Sequence, residues 1–180
     1  MTTEADRLLL LRLARDAIVA HVSGRRPPTP ALSGIFGLRS GGFVTLHGGD
    51  GSLRGCIGHL EQDDLLGSVI LRCAVSAASQ DPRFPAVSAS ELPTLRIELS
   101  LLGPVEPIAG PSAIEIGRHG LVVERGRCRG LLLPQVATEW RWDAETFLAH
   151  TCRKAGLPDE AWKRGALLWR FEAEVFAEGG

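Results

Sequence analysis

The sequence predicts an α+β fold, a mainly antiparallel sheet with flanking helices, arranged as two lobes of one compact domain. Three patterns predict it. Two pairs of strand-like segments are joined by short glycine-bearing turns, around residues 43–57 and 121–133. Leu95, Ile97, Leu99 and Leu101 alternate with Arg96, Glu98 and Ser100, the period of a half-buried strand. Other stretches carry apolar residues at helical spacing.

Taken in order, residues 3–22 form the first predicted helix. Thr3 and Asp6 make a capping box, Arg7, Arg12, Arg15 and Asp16 mark a wet side, and Leu10, Leu13, Ala14, Ala17, Ile18 and His21 fill the packed stripe. The proline-rich segment 24–30 ends it as a stiff connector inside a single domain spanning residues 1–180. A hairpin follows, with strands 43–46 and 53–57 and a turn at Gly48-Gly49-Asp50-Gly51. Residues 63–79 read as a helix that buries Leu66, Val69, Ile70, Cys73, Ala74 and Ala77. Asp81-Pro82 stops it and begins a rigid loop, in which Ser88 and Glu91 suit one short capped turn. After the strand at 95–101 come a second hairpin (121–124 and 128–133, turning near Gly126), helices at 134–139 and 143–155, and a strand at 167–176. In that last strand Trp169, Phe171, Ala173 and Val175 are expected to point inward.

Composition bounds the function classes. The 180 residues are 44% hydrophobic, which is one domain's worth of chain with enough apolar material for a core. Twenty basic against 21 acidic residues give a net charge of −1, which disfavours binding to phosphate backbones. No apolar run reaches the ~20 residues of a membrane span, and the acidic start does not read as a secretory signal. Four cysteines without paired spacing point to a reducing compartment, so a cytoplasmic protein is expected. Phosphate-binding, dinucleotide-binding and serine-hydrolase glycine motifs are absent from the sequence.

The chemistry concentrates at Arg54-Gly55-Cys56-Ile57-Gly58. In a regular strand Leu53 and Ile57 face the core and Arg54 and Cys56 stand together on the other face, where a guanidinium favours the thiolate. Gly55 and Gly58 remove bulk around the sulfur, as a backbone needs where a substrate or second chain approaches. The alternative is a small buried cysteine in a bulged strand. Cys73 and Cys152 read as core, and the role of Cys128 is open. Thiol chemistry calls for a base, for which His119 and Glu98 are the candidates; a turn residue and a surface ion pair are the competing readings. Asp81 and Arg83 are candidates to bind an anionic group, or to pair with each other as a loop staple. Cys56 and His59 have C-x-x-H spacing, with His47 and His119 as further possible ligands. Nothing in the chain completes a four-ligand structural zinc set, so metal binding stands only as a third reading.

The segments Leu53-Arg54-Gly55-Cys56-Ile57-Gly58, Asp81-Pro82-Arg83-Phe84-Pro85 and Glu91-Leu92-Pro93 resemble the AMMECR domain family. So do His119-Gly120, Leu133-Pro134-Gln135-Val136-Ala137, Trp142-Asp143 and Lys154-Ala155-Gly156-Leu157. The match runs through nearly the whole chain; Ala86 departs from it, where the family more often carries a second proline. The resemblance implies a two-lobed α+β fold with the Arg-Gly-Cys-Ile-Gly stretch accessible between the lobes. It also implies association with a radical S-adenosylmethionine (radical SAM) protein and a Memo-type protein, as in the microbial AmmeMemoRadiSam system. It supplies no reaction. Two readings therefore stand side by side: an enzyme or enzyme subunit using Cys56, and a non-catalytic docking partner.

Overall fold

The computed structural model describes residues 2–179 and has the expected α+β class. The chain divides into two compact units, one holding the residues up to Leu101 together with those from Glu174 on, the other Leu102–Ala173. The strand pairs registered within the units are all antiparallel. Among the described residues no helix is long and apolar enough to cross a membrane.

The first unit begins with α1 (Glu4–Val22), whose Thr3 cap accepts from the Asp6 N–H at 3.2 Å while the Asp6 carboxylate accepts the Thr3 N–H at 3.0 Å. Strands β1 (Gly42–His47) and β2 (Leu53–His59) form the first hairpin, and β3 (Arg96–Leu102) pairs with the other side of β1. Helix α2 (Leu66–Ser79) starts three residues later than its apolar pattern predicts. Leu65 is held extended by a bridge to Arg39, and the Leu66 N–H goes to the Leu38 carbonyl at 2.7 Å, so the preceding aspartates cannot join the helix. Leu10, Ala14 and Ile18 from α1, Ile70 and Ala74 from α2, and Val44, Leu46, Ile97 and Leu99 from the sheet share one core. His21, expected in the packed stripe, is exposed; Val22 closes the last turn against the core instead. The chain's end is tied in by charge: Glu174 accepts from Arg7 at 2.7 Å, and Glu178 pairs with Arg15 and accepts the Ile97 N–H at 3.0 Å.

The second unit contains β4 (Glu106–Pro107), β5 (His119–Arg125), β6 (Cys128–Leu132), α3 (Pro134–Glu139), α4 (Ala144–Lys154) and most of β7 (Leu167–Ala177). β7 pairs with both β4 and β5, and β6 adds to β5. Asp143 caps α4 by accepting the Thr146 N–H at 2.8 Å. Leu121, Val123, Phe147, Leu148, Cys152 and Leu168 make the core. The inward alternation expected along β7 is only partly present. Phe171 is buried, but Leu168 is the residue that enters this core, and Val175 is 44% exposed.

Helix α3 ends in a Schellman motif: the Trp142 N–H reaches the Ala137 carbonyl at 2.9 Å, with Arg141 at φ 54°. Glycine usually takes that left-handed position, and a side chain there strains the backbone. Arg141→Gly is therefore expected to stabilise the protein by about 0.5–1 kcal/mol, read as a higher urea midpoint. An unchanged or lower midpoint would mean that the arginine side chain outweighs its backbone strain.

Candidate functional site

Cys56 owes its setting to a β-bulge. His47 pairs with Leu53, yet Leu46 pairs with Gly55 and Thr45 with Cys56, so Arg54 is the extra residue. Continued without the bulge, the register from His47 and Leu53 would set Cys56 across from Val44, on the core face. One inserted residue flips the rest of β2 and sets Cys56 across from Thr45 on the opposite face. It also corrects the expectation for Leu53, which shares the outer face with His47 and is 40% exposed, while Ile57 alone packs against the core.

On that outer face the register builds a row. Thr45 lies directly between Cys56 on β2 and Glu98 on β3. The Thr45 hydroxyl donates to Cys56 Sγ at 3.4 Å, and His47 Nε2 approaches the Glu98 carboxylate at 4.0 Å. β2 is the outer strand of the β2-β1-β3 set, and the Cys56 N–H points away from β1, where the Asp81 carboxylate accepts it at 2.9 Å. Thr45 and Cys56 are thus a non-hydrogen-bonded pair, the kind whose side chains come closest.

Asp81 and Arg83 form the loop staple rather than an open anion site. Asp81 Oδ1 accepts from Arg83 Nε at 2.9 Å, Oδ2 from Arg83 Nη2 at 2.7 Å, and Oδ1 also from the Arg83 backbone N–H at 3.1 Å. These hydrogen bonds from Arg83, with that of Cys56, hold the buried Asp81 carboxyl far below the usual carboxylate range. The Arg83 side chain is half exposed and lies over the Phe84 ring, 5.4 Å from its centroid.

Arg54 does not act as the expected partner of the thiolate. Placed by the bulge, its Nε donates to Glu91 at 2.7 Å and its Nη1 to the Pro85 carbonyl at 2.8 Å. Glu91, bonded also by Ser88, is held down to about 2. The cation that bears on the sulfur is Arg83. Even so, the Cys56 thiol is raised, not lowered: burial is the largest cause, the negative charges of Asp81 and Glu98 add to it, and the Thr45 hydrogen bond and Arg83 only partly offset them. Cys73 and Cys152 are buried as expected, and burial pushes the Cys73 thiol up to about 11.

The space beside the Cα of Gly55 and of Gly58 is taken up from within the unit. A Cβ on Gly55 would lie 2.2 Å from the Ala77 carbonyl oxygen of α2, and one on Gly58 would lie 2.2 Å from the Phe43 ring. The Cys56 and His59 pair is separated as well: residues three apart in a strand face opposite ways, and His59 bonds Asp63 at 2.8 Å. Among the described residues no group of three or more histidine, cysteine and acidic side chains is arranged to hold a metal ion. His119 belongs to the second unit, where it is buried and its Nδ1 accepts the Glu115 N–H at 2.9 Å. The sequence reading missed Thr45 and Glu91, because only the bulged register and the folded loop bring them to Cys56 and Arg54.

A sequence profile described as AMMECR1 matches residues 11–176. A protein from Methanosarcina acetivorans is 45% identical, covering 99% of this chain and 94% of its own. One from Methanothermobacter thermautotrophicus is 47% identical, covering 95% and 93%. The crystal structure of an uncharacterized protein from Pyrococcus horikoshii superposes with a TM-score of 0.85 at 40% identity, covering 94% of this chain and 90% of that one.

Proposed function

The chain belongs to the AMMECR1 family, and we propose from its own geometry that it acts in the cytoplasm through the thiol of Cys56. The observation that carries this reading is the row Cys56, Thr45, Glu98, with the Thr45 hydroxyl already bonded to the sulfur. The resting group is a neutral thiol. As the sulfur attacks an electrophilic centre it gives up its proton, for which the Glu98 carboxylate on the same face is the base, reached through solvent, while the Thr45 O–H, which already donates to the sulfur, eases the charge developing there. Arg83 supplies the positive potential that eases charge on the sulfur.

Iodoacetamide labelling with peptide mapping tests it. Access gives Cys56 a rate at least roughly tenfold above those of Cys73 and Cys152, climbing into the alkaline range because burial raises its pKa, and Arg83→Ala slows it. Equal, slow labelling of all four cysteines would remove the basis for thiol chemistry.

The raised thiol pKa favours a second reading, in which this face docks a partner. The family resemblance implies a radical SAM protein and a Memo-type protein for that role. Cys56→Ser separates the two. Under the docking reading it keeps cellular function, whereas under the thiol reading it loses function while folding and binding persist.

A further inference from the structure

The second unit holds a cavity of about 500 Å³ whose polar lining is His119, Arg118, Arg170, Glu106, Glu115 and Glu172. His119 opens β5 and is 6% exposed. Its Nδ1 accepts the Glu115 N–H, so that nitrogen carries no proton and the ring's single hydrogen sits on Nε2. Burial, followed by the nearby cations Arg170 and Arg118, holds the imidazole below its ordinary pKa and keeps it neutral at pH 7. No described residue accepts from Nε2. The Nε2–H, in the wall of the cavity and open to it, is a donor that a bound molecule can take up.

The rim decides what carries that acceptor. Arg118 lies between Glu172 at 2.8 Å and Glu115 at 3.2 Å; Arg170 is bonded by Glu106 at 3.1 Å and the Ala113 carbonyl at 2.7 Å. Both guanidinium groups are therefore engaged. Three carboxylates against two guanidiniums leave one negative charge in excess, and Glu106, Glu115 and Glu172 each bond through one oxygen only. All three are more than half exposed, so the acidic groups surround the mouth while His119 lies deeper.

We propose that this cavity binds a small cationic amine bearing a neutral oxygen acceptor, an amino amide or amino alcohol. The oxygen accepts from His119 Nε2–H and the ammonium pairs with the free carboxylate oxygens of the rim. Free carboxylates and phosphates are disfavoured, because they meet the excess negative charge and find both guanidiniums occupied.

The full-length protein with nitrogen-15-labelled histidine is titrated with L-alaninamide, and separately with acetate and inorganic phosphate. The amide shifts the His119 Nε2–H resonance saturably and the anions do not. Glu106→Gln combined with Glu172→Gln removes two exposed rim charges and weakens the amide by roughly five- to tenfold. Cys56→Ser leaves the affinity unchanged, which keeps this site separate from the thiol reading. The absence of a saturable amide shift, tighter binding of phosphate than of the amide, or full affinity in the double variant would each overturn the proposal.

Discussion

Gly55→Ala is expected to lower the unfolding free energy by about 2–4 kcal/mol, which for a chain of this length is a fall in Tm of roughly 6–12 °C. The added methyl would lie 2.2 Å from the Ala77 carbonyl oxygen and 3.2 Å from its carbon. Both are backbone atoms of α2, so no rotamer change relieves the contact. The helix itself has to lift from the sheet, and Cys73, Ala74 and Ala77 lie on its buried face. Gly58→Ala is the control. Its methyl meets the Phe43 ring, a side chain on the outer face that can turn away, so the loss is smaller, about 1–2 kcal/mol. Thermal unfolding of the two variants side by side checks the order. A Gly55→Ala protein as stable as the parent would mean that α2 does not press on β2 as described. The second unit repeats the device: a Cβ on Gly130 of β6 would lie 2.3 Å from the Ala155 nitrogen at the end of α4.

Signals that depend on near neighbours in the sequence were legible; those that depend on an inserted residue or on a distant partner were not. The capping box at Thr3 and Asp6, the alternation through Ile97 and Leu99, and the glycine turn at Gly126 lie within a few residues and led to elements close to those observed. The class of fold followed from them. Cys56 could be picked out by its flanking glycines, but its neighbours could not. A bulged strand stood only as the alternative reading, and nothing in the letters places the extra residue at Arg54, since the same letters in unbroken register place Cys56 across from Val44. Arg54 and Glu91 are 37 positions apart, and their pairing depends on how the Asp81 loop folds back. The bulge reverses the electrostatic expectation too. A cation two residues away in a strand suggests an activated thiolate, but the displaced Arg54 bonds a carboxylate and burial dominates at the sulfur.

Asp81 is where stability and thiol chemistry are expected to move in opposite directions. Its carboxylate accepts the edge N–H of Cys56 and two side-chain hydrogen bonds from Arg83, and it is 4% exposed. Asp81→Ala leaves that N–H without its acceptor and frees the loop, which costs about 2–4 kcal/mol at pH 7. The same change removes a negative charge that raises the Cys56 pKa and releases Arg83 from its partner. Alkylation of Cys56 should therefore quicken while the urea midpoint falls. Acid provides an independent check. The native Asp81 pKa is depressed below its unfolded value near 4, so its stabilisation is complete above that value and is lost as the pH falls through the native pKa; Glu91, held to about 2, adds in the same sense. The parent's urea midpoint should drop from about pH 5 toward pH 2, and the Asp81→Ala protein, having already lost one of the two carboxylates, should show a shallower drop. Slower labelling in the variant would mean that access to the sulfur depends on the stapled loop more than on its charge, and an equally steep acid limb would place the acid sensitivity elsewhere in the chain.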